Sequence, residues 1–205
     1  MTSVAGEQST PARRGTGARP ADGRQRVIDA ALAQFAEYGV EGTSLQMIAD
    51  AMGVTKAAVY YHFKTKDEIV LAVVAPALGQ LLEILDHAEA QRGPGTRTRA
   101  FLTGFVHLVV GHRALLTLLY DDVAVIRTLR RHLPDFSDYE HRIPRALVGA
   151  DADAGQRVAA VVALTGIVAA AGDPEFATLG DEELEGHLLD AGLRLITPRR
   201  RPARP

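Results

Sequence analysis

The sequence predicts an all-α fold, with short helices near the N-terminus and a larger helical unit after them. Three observations carry this. Apolar residues recur at i, i+3, i+4 and i+7 in one segment after another, the spacing of a single buried helix face. Thr43 with Gln46, and Thr65 with Glu68, repeat the pattern of a capping box, in which a hydroxyl and a side chain three residues on satisfy free N–H groups at a helix start. Between the termini no segment alternates apolar and polar residues as a half-buried strand does.

Residues 1–21 are rich in Gly, Ser, Thr, Pro, Ala and Arg without apolar periodicity, and read as a disordered basic arm. Asp22 is placed to cap a first helix, with Gln25 at the reciprocal position. The expected buried stripe of that helix is Ile28, Ala31, Leu32 and Phe35, and Gly39 ends it. Thr43 opens a second helix with the stripe Leu45, Ile48, Ala49, Met52, stopped by Gly53. Thr55 caps a third that reaches about Phe63. Thr65 opens a long fourth over 66–89, which Pro76 is expected to kink. Further helices follow over 96–111, 113–120, 123–132, 136–148 with Pro144 inside, 153–171, and 181–196 with Asp181 as its cap. Residues 198–205 (Pro-Arg-Arg-Arg-Pro-Ala-Arg-Pro) read as a disordered basic tail.

Composition removes several function classes. There is no cysteine, so disulfides and thiolate metal sites are excluded. No run approaches roughly 18 uninterrupted strongly apolar residues, so no membrane span is expected. No apolar segment precedes a cleavage site near the N-terminus, which favours the cytoplasm. His107 and His112 are five apart, about 140° round a helix, and do not share a face, so no metal is expected. There is no Gly-rich phosphate loop, no Gly-x-Ser-x-Gly and no convergent acid–base set, and the pair Asp121-Asp122 reads as a helix cap. An enzyme and a cofactor are therefore not expected.

Net charge is −2, yet its distribution is uneven. From Val54 to Lys66 there are three lysines, one histidine and no acid, a local basic surface on a near-neutral chain. The same stretch meets the demands of a helix-turn-helix. Ala49 is small enough for two helices to cross. Gly53 is free to take a positive φ in the turn. Ile48, Met52, Val54 and Val59 can lock the pair together. Thr55, Lys56, Ala57 and Ala58 then leave short or polar side chains at the start of the second helix. Tyr60 and Tyr61 lie about 100° apart, so one must face outward, and Phe63 belongs to the core.

The run Gly42-Thr43-Ser44-Leu45-x-x-Ile48-Ala49-x-x-x-Gly53-Val54-Thr55-Lys56-x-Ala58-Val59-Tyr60-Tyr61-His62-Phe63-Lys64-x-Lys66-Asp67-Glu68 resembles the signature of TetR/AcrR regulators. The resemblance covers about residues 24–70. It implies an all-α fold in which a three-helix DNA-binding domain (22–66) joins a larger helical effector-binding and dimerisation domain (67–197). It also implies a homodimer on double-stranded operator DNA, most often a repressor that a small molecule releases. An activator, or a DNA-binding protein without an effector, is equally compatible with it. By position, Thr43 and Ser44 resemble phosphate-binding residues at a helix start, and Gln46 a base or phosphate contact. Thr55, Lys56 and Ala57 are similar to the base-reading positions. Tyr60, Tyr61 and His62 resemble contacts further along, with Lys64 beside them, and Lys66 resembles a phosphate-binding lysine. Ala57 and Ala58 cannot hydrogen-bond and at best touch a thymine methyl, so specificity falls chiefly to Lys56, Gln46 and Tyr60.

The C-terminal two-thirds says less. The segment from Val158 to Val168 is apolar nearly all round, as a helix buried on several sides would be. With the last two helices pairing across a dimer, as the resemblance implies, the expected interface is Ala160, Leu164, Val168, Leu184, Leu188 and Leu195. The expected effector pocket lies among the middle helices, lined by Phe101, Phe105, Leu108, His112, Leu116, Tyr120 and Tyr139. Its apolar bias points to a small, mainly apolar effector.

Overall fold

The computed structural model describes residues 20–197, less the side chains of residues 20, 21 and 119–121. Over that range there are ten α-helices, one short 3-10 helix and no strand among the described residues. α1 (Pro20–Gly42), α2 (Leu45–Met52) and α3 (Lys56–His62) come first. α4 (Lys66–Glu89) and α5 (Pro94–Gly111) form the long central pair. α6 (Arg113–Asp121), α7 (Val123–His132), α8 (Phe136–Val148), α9 (Ala154–Gly172) and α10 (Asp181–Ile196) follow. The expected tail, and all but the last two residues of the expected arm, lie outside the described residues.

Local chemistry explains most of the boundaries. The Thr55 hydroxyl accepts the Ala58 N–H at the start of α3, and Thr65 accepts from Glu68 at the start of α4. Asp153 and Gln156 complete a full capping box at α9. Gly39 (φ 70°, ψ 166°) interrupts the helical backbone of α1, a conformation glycine takes without steric cost. Three expected caps are corrected. α1 begins at Pro20, whose fixed φ suits a helix start, so Asp22 lies in its first turn. Ser44 rather than Thr43 caps α2, its hydroxyl accepting from Met47. Asp181 lies inside the first turn of α10, which starts at Gly180 without a side-chain cap, and its carboxylate pairs with Arg113. α4 runs through Pro76, which sits on an exposed side.

The buried residues form two clusters. The first gathers Val27, Ala31 and Phe35 of α1, Ile48 and Ala49 of α2, Val59 and Phe63, and the stretch of α4 from Ile69 to Ala77. It also takes in Leu118 of α6 and Val125 and Leu129 of α7. Ala31 and Phe35 of the expected α1 stripe are buried, whereas Ile28 and Leu32 lie at its edge and Val27 takes the core position. The second cluster holds Leu85 and Ala88 of α4, Phe101, Leu102 and Phe105 of α5, and the inner faces of α8, α9 and α10. α5 crosses α4 closely at Gly104, where a Cβ would stand 2.8 Å from Ile84 Cγ1. Arg142 ties α8 to α4, its guanidinium donating to Asp86 at 2.6 Å and to Glu89 at 3.0 Å. Those two carboxylates hold its pKa above the ordinary arginine value.

Three readings of the C-terminal part change. Phe101 and Phe105 are wholly or nearly buried, their rings stacked at 5.7 Å, so they fill the core and line neither large cavity described below. Ala160, Val168, Leu184 and Leu188 are buried inside the protomer, where α9 and α10 pack on each other and on α5. They cannot face a partner from there. Leu164 is half-buried against the same cluster. The apolar groups that α9 leaves exposed are Val158, Val161 and Val162, at 62%, 63% and 51%. Leu195 is 49% exposed on α10. Finally, α4 and α9 are long and apolar enough to cross a membrane by length and composition, contrary to the expectation of no such segment. Each nevertheless buries one face in the clusters above.

Removing the Phe101 ring is expected to cost about 3–5 kcal/mol of folding free energy, as for large-to-small changes at a fully buried site. Arg142→Ala is expected to cost about 1 kcal/mol, since its carboxylate partners are largely solvated. Denaturant unfolding monitored by circular dichroism separates the two.

Candidate nucleic-acid interface

α2 and α3 are held as a unit by apolar contact and by the turn between them. Ile48, Ala49 and Val59 are completely buried and Phe63 nearly so, with Leu45, Met52 and Val54 packed at the edge. Gly53 takes φ 66°, ψ 33°, the left-handed C-cap conformation. Its N–H donates to Asp50 O at 3.0 Å, and the Val54 N–H to Ala49 O at 3.0 Å. At the far end the Arg24 guanidinium lies 4.7 Å from the Phe63 ring centroid, a cation–π contact that ties the first turns of α1 to the end of α3. Gly23 approaches so closely that a Cβ there would stand 2.8 Å from His62 Nε2.

The opposite face of α3 is open. Thr55, Lys56, Ala57 and Ala58 are exposed, Tyr60 is 41% exposed and Tyr61 is 74% exposed. Lys56 and Tyr60, four residues apart on α3, form a row, and Lys64 follows just beyond the end of the helix. The Lys56 ammonium lies 5.6 Å from the centre of the Tyr60 ring, and Lys64 Nζ donates to the Tyr60 carbonyl at 2.7 Å. Tyr61 stands beside the row, edge-on to His62 at 5.0 Å between centroids. Ser44 and Gln46 are exposed at the start of α2, and Gln46 Nε2 donates to Asp50 Oδ1 at 2.7 Å. Lys56, Tyr60 and Tyr61 on α3, with Lys64 just beyond its end, make a surface able to meet both phosphates and base edges.

Two residues expected to touch phosphate are used elsewhere. Thr43 is 2% exposed, and its hydroxyl donates to Gly39 O at 2.8 Å and Gln34 O at 3.1 Å. Its side chain closes the end of α1 and does not reach the surface. Lys66 is half-buried, and its ammonium donates to Val40 O at 2.5 Å, Thr43 O at 2.9 Å and Glu41 O at 3.3 Å. It clips the α1–α2 connection to the start of α4. Sequence reasoning missed Asp122 as a link between the two halves. One of its oxygens accepts the Ala124 N–H at 2.8 Å, capping α7, and the other accepts the Val40 N–H at 2.6 Å. The acid ahead of Val123 signals the cap; nothing local signals a partner 82 residues away.

Cavities open elsewhere on the described surface, two of them large. One, of about 630 Å³, lies between α1, α6 and the end of α9. The other, of about 690 Å³, lies between α4 and α5 and includes Leu108. Of the remaining expected pocket residues, His112 is half-buried with Nε2 3.3 Å from Gln80 Oε1. Leu116 and Tyr139 pack between the clusters, where burial raises the pKa of the Tyr139 phenol. The Tyr120 side chain lies outside the described residues. Among the described residues no group of three or more His, Asp or Glu could hold a metal.

The three-helix unit and the open face of α3 define a helix-turn-helix protein. Residues 27–73 match the family described as bacterial regulatory proteins, tetR family. A probable acrEF/envCD operon repressor of Escherichia coli is 34% identical over 102 residues, 47% of this chain and 46% of that protein. The regulator SrpR of Pseudomonas putida is 48% identical over 62 residues, 30% of this chain and 29% of that one. The chain thus spans about half the length of the first of these relatives and under a third of the second. A TetR-family regulator from Streptomyces coelicolor superposes with a TM-score of 0.64 at 26% identity, covering 83% of this chain and 88% of that one. The ketosteroid regulator KstR2 of Mycobacterium tuberculosis shares the fold, at TM-score 0.63, 22% identity, and 86% and 95% coverage. Over residues 27–73 this chain is thus similar to TetR-family regulators, and its fold is that of a solved member of that family.

Lys66→Met is expected to lower folding stability by about 1–3 kcal/mol, because it strips a charged donor from three carbonyls. Lys56→Met, on the open face, should leave the unfolding temperature within about 1 °C of wild type. Differential scanning fluorimetry of the two variants checks the contrast.

Proposed function

We propose that this protein is a dimeric repressor that binds double-stranded operator DNA, lays α3 of each protomer in a major groove, and lets go when a small, mainly apolar effector binds. The observation that carries the reading is the exposed set Lys56, Tyr60 and Tyr61 on α3, a helix whose other face is locked into the core, with Lys64 just beyond its end. In this reading Lys56 and Ala57 meet bases, while Tyr60, Tyr61, His62 and Lys64 meet backbone or bases further along. Ser44 and Gln46 approach phosphates from α2, and Thr55 holds the start of α3. Thr43 and Lys66 act indirectly, by shaping the connection between α1 and α2. The exposed valines of α9 support a homodimer, since a contiguous apolar strip on a water-facing helix is stabilised by a second copy. The protein works in the cytoplasm, without a membrane partner.

Selection of bound duplexes from a random pool is expected to enrich a pseudo-palindrome, its half-sites related as the two protomers are. Recovery of no palindrome would sink the dimeric reading. Lys56→Ala is expected to relax preference at one position per half-site, by about 1–3 kcal/mol. Lys64→Ala should weaken all duplexes alike and reduce the slope of log K against log salt by about one per protomer. Val161→Glu is expected to shift sedimentation from dimer to monomer; an unchanged dimer would move the interface elsewhere.

A further inference from the structure

The cavity of about 630 Å³ between α1, α6 and the end of α9 falls within the ~300–1,000 Å³ range of small-molecule sites. Both halves of the molecule wall it. Phe35, Ala36 and Gly39 come from α1, Ala114 and Leu118 from α6, and Ala171 from α9. The cavity between α4 and α5 touches no part of the helix-turn-helix. The polar groups at the junction cavity are Arg113, Thr117, Asp122 and Asp173.

Charge decides what such a cleft can hold. The Arg113 guanidinium already pairs with Asp181, which is outside the lining, and Arg113 Nε donates to Val110 O at 3.3 Å. Asp122 is bonded to the neutral N–H groups of Val40 and Ala124. Asp173 accepts the Glu175 N–H at 2.9 Å. The nearby cation Arg127, which feels Asp122, bonds directly to Glu41 instead. The lining therefore carries two carboxylates bonded to neutral donors, over a floor of phenyl, leucyl and alanyl carbon. We propose that the junction cavity binds a small lipophilic cation, its apolar body against α1 and α6 and its positive group toward Asp122 and Asp173. Because Asp122 also holds the Val40 N–H, an occupant that engages Asp122 bears directly on the α1–α2 connection. That consequence for DNA rests on the operator-binding reading; occupancy of the cavity does not.

The test uses the full chain and two probes of equal shape and opposite charge, tetraphenylphosphonium and tetraphenylborate, in isothermal titration calorimetry without DNA. The phosphonium is expected to bind one per protomer, roughly tenfold or more tighter than the borate. Ala114 is exposed to the cleft, so Ala114→Phe fills the cavity without entering the core and should abolish the binding. Asp173→Asn keeps an acceptor for the Glu175 N–H, and should weaken the phosphonium about fivefold with the unfolding temperature unchanged. Absence of binding, lack of preference for the cation, or binding indifferent to both substitutions would each overturn the proposal; the last would move the ligand to the α4–α5 cavity or the open surface. Gel-shift titration with the operator, run separately, reports the release. A protein that binds phosphonium but no DNA refutes the operator reading and leaves the cavity standing.

Discussion

The backbone of one residue sets the relation between the helix-turn-helix and the rest of the molecule. Val40 is held from both directions: its N–H by the Asp122 carboxylate of α7's cap, its carbonyl by the Lys66 ammonium of α4. Each bond joins a charged group to a backbone dipole, which makes it stronger than a neutral pair. Gly39 makes the arrangement possible, because its positive φ breaks the helical path of α1 just before Val40, and because a Cβ there would stand 3.3 Å from Asp122 Oδ2. Thr43 then donates its hydroxyl back to the Gly39 carbonyl. The position of α2, and through it α3, descends from this small set of bonds.

Much of the fold could be read from caps and periodicity. The bounds of α7, α8 and α10 follow from where apolar spacing stops, and Thr55, Thr65 and Asp153 mark helix starts because a short polar side chain there satisfies N–H groups that nothing else reaches. Where reading by caps failed, the rival was tertiary. Thr43 and Ser44 are both competent caps, and burial against α1 decided between them. Lys66 looks like an anion-binding lysine in sequence, since nothing local reveals that three carbonyls from the α1–α2 connection converge on it. Phe101, Phe105, Leu184 and Leu188 share one difficulty: an apolar helical stripe looks the same whether it meets a ligand, a second copy or the chain's own core. Exposure separates them, and exposure is a property of the assembled helices.

The interface on α3 was more legible because its demands are local. A seven-residue helix with Val59 and Phe63 locked inward has few directions left for Lys56, Tyr60 and Tyr61. Its two alanines limit what it can ask of base edges. Under the proposed function, a helix so sparsely equipped leans on phosphate geometry and on how readily a sequence adopts the required groove shape.

α4 belongs to both buried clusters, contributing Ile69 through Ala77 to one and Leu85 and Ala88 to the other. The boundary after Lys66 therefore divides a sequence pattern, not a physical unit. A chimera that grafts residues 22–66 onto another helical domain would strip the helix-turn-helix of the apolar surface on which it rests. The portable piece is longer: it needs the first half of α4, and with it an acceptor standing where Asp122 does. A graft of this unit onto another helical body is then constrained by whether an acid stands there to receive the Val40 N–H.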